Sequence, residues 1–210
     1  MMKDIIIVCA GGFGREAVDV IRDINKVEKQ WNILGFLDDN PKALEGVRCK
    51  YNIIGSISDW QPKDSEWFAL GIASPKIKER LSTMLKERGA KFATLIHPAA
   101  IISEEATIGE GCVIGGRSSI GDCAEIGNFV NIAGSMIGQG STIGDFSTTT
   151  GFTNIVSAHL GKRVFVGSHA VVLNRIKVGD DAIVGTGSIV FRNVKAGTKV
   201  LGYPAKKMII

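Results

Sequence analysis

Residues 102–132 read ISEEATIGEGCVIGGRSSIGDCAEIGNFVNI, with isoleucine at 102, 108, 114, 120, 126 and 132. Each isoleucine stands six residues after the last, a period that belongs neither to a helix nor to a simple strand. After a five-residue step the series resumes at Ile137, Ile143, Thr149 and Ile155. After another it runs through Leu160, Val166, Val172, Val178, Val184 and Val190, and Thr149 is the one polar member. Glycine follows directly at 109, 115, 121, 127, 138, 144, 161, 167, 179 and 185. Four residues after the aliphatic comes a small side chain, as at Ala106, Cys112, Ser118, Ala124, Ser141, Ser147, Thr153, Ala170, Ala182 and Ser188. This is the pattern of a parallel β-helix built from hexapeptide repeats. One aliphatic per six residues fills a narrow core, and the small residue fits where the coil interior is crowded. Glycine is expected to take tight corners at low steric cost. With about eighteen residues per coil, the region predicts about five coils. A repeat of this kind specifies a fold and leaves function open, because each coil buries its face on its neighbours.

Upstream, the grammar is different. Ile5–Val8 reads as a buried strand, and the turn Cys9-Ala10-Gly11-Gly12-Phe13-Gly14 follows it. Arg15–Ile24 has the spacing of an amphipathic helix, with Ala17, Val18, Val20, Ile21 and Ile24 apolar. Ile33–Leu37 is a second strand ending at Asp38-Asp39-Asn40-Pro41, and Trp67–Gly71 is a third. A helix is expected over Pro75–Glu87, with proline at its start and Gly89 beyond its end. Lys91–Ile96 is expected as a fourth strand. Strand–helix–strand order predicts a small parallel sheet of the mononucleotide-binding, Rossmann-like kind. The expected organisation is an α/β nucleotide-binding domain over 1–97, followed by a left-handed parallel β-helix with a C-terminal tail over 98–210.

Composition limits the function classes. The chain has 210 residues, 45% hydrophobic and 22% charged, with net charge +4. Mild basicity suits an anionic ligand, but Lys and Arg form no long run, which argues against nucleic acid. No apolar run approaches the roughly 20 residues of a membrane span. Met1-Met2-Lys3-Asp4 lacks the shape of a signal peptide, so a cytoplasmic protein is expected. Cys9, Cys49, Cys112 and Cys123 have no CxxC spacing, and neither a metal nor a disulfide framework is expected.

The hexapeptide pattern, the leading CAGGFGREA, the junction LIHPAAIISEEATIGEG and the closing VGDDAIVGTGSIVFRNVKAGTKVLGYPAKKM together cover nearly the whole chain. In this order they resemble the left-handed β-helix sugar acyltransferases. These are the sialic acid O-acetyltransferases and UDP- or GDP-amino-sugar N-acetyltransferases of bacterial glycan biosynthesis. The GYPAKKM ending is the most specific local piece. The resemblance implies a homotrimer with active sites at subunit interfaces. It also implies acetyl-CoA lying along the β-helix, and a nucleotide-activated sugar held by the N-terminal domain.

Candidate residues fall into three groups. Gly11, Gly12, Phe13 and Gly14 lead into a helix N-terminus, where backbone N–H groups favour a phosphate; the alternative is a tight strand-to-helix turn. The glycine pattern is incomplete for a dinucleotide site, which disfavours an oxidoreductase. Asp38 and Asp39 can accept from ribose or base, or can simply build an Asx turn before Pro41. Gly71 and Ser74 lie on the same sheet edge. By the resemblance, the family's catalytic His and its following acid correspond to Gln139 and Gly140 in IGQGSTIGDF. Gln cannot act as a general base, and loss of a base costs about 10²–10⁴ in rate. Among the histidines, His97 reads as structural, His159 and His169 point outward, and His169 is the candidate substitute base. Ser168, Gly185, Thr186 and Gly187 are expected to let the pantetheine of CoA approach the backbone. Lys206 is expected to meet CoA phosphate, with Lys162, Arg163, Arg175, Lys177 and Lys207 as further cations.

The expected activity is acyl transfer from acyl-CoA, most simply acetyl-CoA, to an amino group of a nucleotide-activated sugar. A sugar amine with pKa near 8 is partly neutral and can attack without a base, which a hydroxyl cannot. Two alternatives stand beside it. One is a catalytically silent homologue that binds nucleotide sugar or scaffolds a complex. The other is an acyltransferase acting on a non-sugar amine or alcohol.

Overall fold

The structure, a computed structural model, describes residues 2–208. Five strands form the N-terminal sheet: β1 (Lys3–Val8), β2 (Trp31–Leu37), β3 (Ile53–Gly55), β4 (Glu66–Leu70) and β5 (Lys91–Phe92). All are parallel, in the order β3-β2-β1-β4-β5. Chain order reverses on either side of β1, which opens a crevice beyond the carboxyl ends of β1 and β4. Helix α1 (Gly12–Val27) begins three residues earlier than its apolar spacing indicates and takes in Gly12, Phe13 and Gly14. Its N-cap is Gly11 in an extended conformation. Helix α2 runs over Pro75–Glu87 as expected. The short strand β3 carries no alternating pattern long enough to stand out in the sequence.

The expected strand over Lys91–Ile96 is two strands. Lys91–Phe92 ends the N-terminal sheet, and Leu95–Ile96 is already the first rung of the β-helix, paired with Val113–Ile114. From there the chain winds a three-faced parallel solenoid. The docked face holds rungs at 95–96, 113–114, 131–132, 148–149, 165–166 and 183–184. The open face holds rungs at 101–102, 119–120, 136–137, 154–155, 171–172 and 189–190. The third face holds rungs at 107–108, 125–126, 142–143, 159–160 and 177–178. The five-residue steps are absorbed without loss of register, as in Ile120 opposite Ile137 opposite Ile155. A C-terminal hairpin, Lys199–Gly202 and Ala205–Lys207, extends the docked face.

The repeat glycines serve a different purpose from the one expected. The left-handed corner conformation falls three residues after the aliphatic and is taken mostly by other residues, including Arg117, Phe129, Phe146, Phe152, Arg163 and His169. The glycine just after the aliphatic has no positive φ. A Cβ at Gly144 would lie 2.5 Å from the carbonyl carbon of Gly161, and one at Gly179 would lie 2.5 Å from the Ala196 nitrogen. Stacking distance between coils, and not turn geometry, requires glycine there.

The N-terminal domain packs on the docked face. Phe92 meets Phe129 edge-on at 5.1 Å, and Phe129 stacks on Phe146 at 5.5 Å. On the other side of the sheet, Val113 joins the core around α1. Each such buried side chain contributes about 1.5–3 kcal/mol. Polar ties cross the seam as well: Asn131 Nδ2 donates to the Ile72 carbonyl, and Thr148 Oγ1 donates to the Ala73 carbonyl. Lys78 of α2, fully buried, donates from Nζ to the Ser147 carbonyl and to Thr148 Oγ1 at 2.9 Å each.

Candidate active site

The carboxyl edge of the N-terminal sheet gathers Gly11–Gly14, Asp38–Asp39 and Gly71–Ser74. Two of the glycines are explained by packing alone. A Cβ on Gly14 would meet the Cys9 carbonyl oxygen, and one on Gly71 would meet the Gly14 backbone, both well inside contact distance. Gly11 and Gly12 differ, because a Cβ at either would meet nothing within 4 Å and neither has positive φ. Nothing within the chain requires glycine at those two positions, which lie open at the start of α1 where N–H groups point outward. Phe13 is half-buried and turns toward the solenoid, where it lines a small cavity with Asn131 and Glu16.

The two aspartates are both engaged. Asp38 Oδ2 accepts from the Ala10 N–H at 2.9 Å, which ties the glycine turn to β2, and Oδ1 accepts from the Asn40 N–H as in an Asx turn. Asp39 Oδ1 accepts from Ser56 Oγ at 2.7 Å and from the Ser58 N–H at 3.0 Å. Those hydrogen bonds, Ser56 first, hold its carboxyl below its ordinary range. Asp39 is exposed and keeps Oδ2 free for a ligand. Cys9, absent from the sequence-based candidates, sits at φ +73 beneath this edge. Burial, then Asp38 and Asp39, pushes its thiol up to about 12, so it stays protonated. Ser74 is the N-cap of α2 and makes no side-chain cap bond.

A second constellation runs along the solenoid edge between the docked and open faces. From bottom to top it comprises His97, Gly116 and Arg117, Gly134, Gly151 and Phe152, Ser168 and His169, then Gly185–Gly187. Ser168 Oγ donates to Thr150 Oγ1 at 3.1 Å, and the Gly187 N–H donates to the Ser168 carbonyl at 2.9 Å. His169 stacks on Phe152 with ring centres 5.1 Å apart. Near the bottom, α1 closes over this edge and leaves a cleft of about 360 Å³. His97 pins that closure: Nε2 lies 2.9 Å from Asp23 Oδ2, and Nδ1 accepts from the Ala99 N–H. With Nδ1 accepting, Nε2 carries the proton and donates it, so His97 serves structure as expected. The hairpin turn at Tyr203 stands above the top of this edge and reaches across the open face. Tyr203 stacks at 5.8 Å with Phe191, which follows the last open-face rung in the column of Gly138, and the two rings line a cavity of about 620 Å³ with Arg192 and Lys206.

Gln139 lies elsewhere. It occupies the edge between the open and third faces, exposed, with its backbone nitrogen above Gly121. Within one chain it meets neither His169 nor the glycine turn. His159 is on the third face, its Nδ1 3.1 Å from Thr142 Oγ1, with Lys177 in register beside it. Two of the further cations are already paired. Lys162 holds Asp145 at 3.0 Å, and Arg163 forks onto Asp181 with a third bond to Glu79. Among the described residues, no cluster of three or more His, Cys, Asp and Glu side chains could hold a metal ion, and no helix is long and apolar enough to cross a membrane.

Comparison with known proteins matches both modules. Residues 4–85 match the family model of the PglD N-terminal domain, and residues 105–132 and 158–192 match the hexapeptide repeat of succinyl-transferase. A run of 43 residues is 51% identical to a 2,3,4,5-tetrahydropyridine-2,6-dicarboxylate N-acetyltransferase of Staphylococcus aureus (strain bovine RF122 / ET3-1). That run covers 20% of this chain and only 18% of the curated relative's length. Over its full length the chain superimposes on PerB from Caulobacter crescentus, solved with CoA and GDP-perosamine. The TM-score is 0.89 at 20% identity, covering 100% of this chain and 99% of that one. It likewise superimposes on the acetyltransferase domain of PglB from Neisseria gonorrhoeae FA1090, solved with acetyl coenzyme A. Here the TM-score is 0.87 at 20% identity, covering 99% and 100%. Both parts of the resemblance carried by the sequence, the glycine-led N-terminal domain and the hexapeptide repeats, are thus present.

Proposed function

We propose that this chain, a PglD N-terminal domain joined to a hexapeptide-repeat solenoid, is an acyl-CoA-dependent N-acyltransferase acting on a nucleotide-activated amino sugar. The observation that carries the reading is the continuity of one solenoid edge. Beyond the top of that edge, across the last rung of the open face, the aromatic pair Phe191 and Tyr203, flanked by Arg192 and Lys206, suits an adenine and its phosphates. Below it, Gly187, Thr186 and Ser168 form a slim ledge for pantetheine, which would deliver the thioester beside Phe152 and the cleft under α1. The nucleotide would sit at Gly11, Gly12 and Asp39, with its sugar reaching toward the same cleft. PerB, which shares this fold, holds CoA and GDP-perosamine together.

The open face supports a trimer. Ile101 is 73% exposed and Met136 58% exposed on it, above an apolar groove of about 550 Å³. Three copies closed on this face would bring Gln139 of one subunit toward the docked–open edge of the next. Gln139 there can hydrogen-bond a substrate but cannot take its proton, which favours an amine, partly neutral near pH 8, over a hydroxyl. Positioning amine against thioester would then supply most of the rate.

The test is thermal stability with acetyl-CoA and with UDP- and GDP-amino sugars, singly and together. Acetyl-CoA at 100 times its Kd is expected to stabilise by about 2.7 kcal/mol. Stabilisation by a nucleotide sugar with none by acetyl-CoA would favour the silent-homologue reading instead.

A further inference from the structure

The cleft under α1 is lined by two exposed charged side chains that make no ion pair or hydrogen bond within the fold. Glu16, on α1, and Arg117, on the solenoid corner, both line it. Among the described residues neither side chain has a hydrogen-bond or ion-pair partner. Their neighbours do: Asp19 pairs with Arg22, and Asp23 holds Lys26 and His97. The opposite wall is a glycine ledge, Gly115, Gly116, Gly134 and Gly151, ending at the exposed ring of Phe152. A cavity of about 20 Å³ adjoins this cleft, large enough for one water or a small donor group. Glu16 lines both spaces. The smaller one is also lined by Asn131, which is 2% exposed and whose Oδ1 has no partner. A buried carbonyl oxygen left without a donor costs about 1–3 kcal/mol, so the cavity is built to receive a donor.

We infer that this cleft is the acceptor-amine subsite and that Glu16 is the catalytic residue that takes the amine's proton, the role that Gln139 cannot fill. The inference rests on the acyltransferase reading above. The substrate ammonium passes one proton to the Glu16 carboxylate and becomes a free amine. Its nitrogen attacks the thioester carbonyl, the C–S bond breaks, and the nitrogen's surplus proton passes to the departing thiolate. The products are amide and CoA thiol, and Glu16 returns its proton to solvent. Phe152 gives the sugar ring an apolar floor, and Asn131 Oδ1 accepts from a sugar hydroxyl or from a water that bridges to it. Glu16 is an exposed residue at the cleft wall; partial desolvation there, and then the neighbouring Asp19, raise its carboxyl above its ordinary value, in the direction a base working near neutral pH needs. The other charges around it are Asp19 and Asp23 on its own helix and His97 and Arg117 on the solenoid.

The experiment compares CoA release by wild type and Glu16→Gln across pH, with acetyl-CoA and a panel of nucleotide amino sugars. Acetyl-CoA binding by thermal shift serves as the fold control. The expected result is a fall in kcat of about 10²-fold or more, loss of the acidic limb of the wild-type pH profile, and unchanged acetyl-CoA binding. Full kcat with an unchanged pH profile in Glu16→Gln overturns the assignment and leaves the acyltransferase reading standing. Absence of CoA release from wild type with every amino sugar, while acetyl-CoA still binds, overturns both.

Discussion

Thr149 stands in the aliphatic series, and its hydroxyl has no reason visible in the packing around it. The residue is 0% exposed and its Oγ1 has no partner. Valine keeps the shape and removes an unpaired hydroxyl, so Thr149→Val is expected to stabilise the protein by about 1–2 kcal/mol. At this chain length that is a rise of roughly 2–4 °C in Tm per kcal/mol, read by calorimetry. The polar break in the series was plain in the sequence, but its lack of a partner was not, because that depends on three faces closing together. Gln139 shows the opposite balance. Its place between Ile137-Gly138 and Ile143-Gly144 could be read directly, along with the base it fails to supply. Glu16 carried no such signal: on an amphipathic helix it looks like any solvated residue, and only the solenoid packed against α1 gives it a role.

At the scale of elements, the hexapeptide period fixed the solenoid because each side chain's direction is set by its place in the six. The N-terminal helices followed from 3.6-residue spacing and from Pro75. The junction was misread because Lys91–Ile96 is uniformly strand-like, and only its pairing partners divide it between two sheets. Helix α2 carries a consequence for pH. Desolvation depresses the Lys78 ammonium from 10.5 to about 7 in the folded chain. Between those values the unfolded state binds the extra proton, so this group's contribution to stability rises with pH across roughly 7 to 10.5. Below about 7 the folded chain also protonates Lys78, and the full penalty for burying the charge is present. Urea unfolding of wild type and Lys78→Met from pH 7 to 9 is expected to show a steeper rise in wild type, by up to about 1.4 kcal/mol per pH unit. Parallel curves would place the Lys78 amine in a better-solvated setting than the seam between α2 and the docked face. Comparing the two proteins cancels the opposing effect of Cys9, whose thiol is raised by burial in both, whereas Cys112 is coupled to Lys78 and its raised thiol belongs to the measured difference.

At the scale of the molecule, one edge of the prism organises everything the proposed chemistry needs. The C-terminal hairpin caps it, the glycine ledge lines it, and α1 closes its lower end. In the sequence these parts lie at 11–16, 97, 115–117, 151–152, 168–169, 185–187 and 203–206; the 17- and 18-residue pitch of the coils lines up those of the solenoid, and the docking of α1 and the C-terminal hairpin adds the two ends. Ser168 and Gly185–Gly187 were identified from the family pattern, whereas Phe152, Arg117 and the Phe191–Tyr203 pair emerge from stacking. Gln139 lies across the open face from this edge. That separation fits either an acceptor that loses its proton to another group or a chain that has ceased to catalyse. The most direct measurement is release of CoA thiol from acetyl-CoA with two matched nucleotide sugars, one bearing an amine and the other a hydroxyl at the same carbon. The account predicts turnover with the amine much faster than with the hydroxyl, whose far higher pKa makes it the harder group to deprotonate. Equal rates with both, or no release with any nucleotide amino sugar, would contradict it.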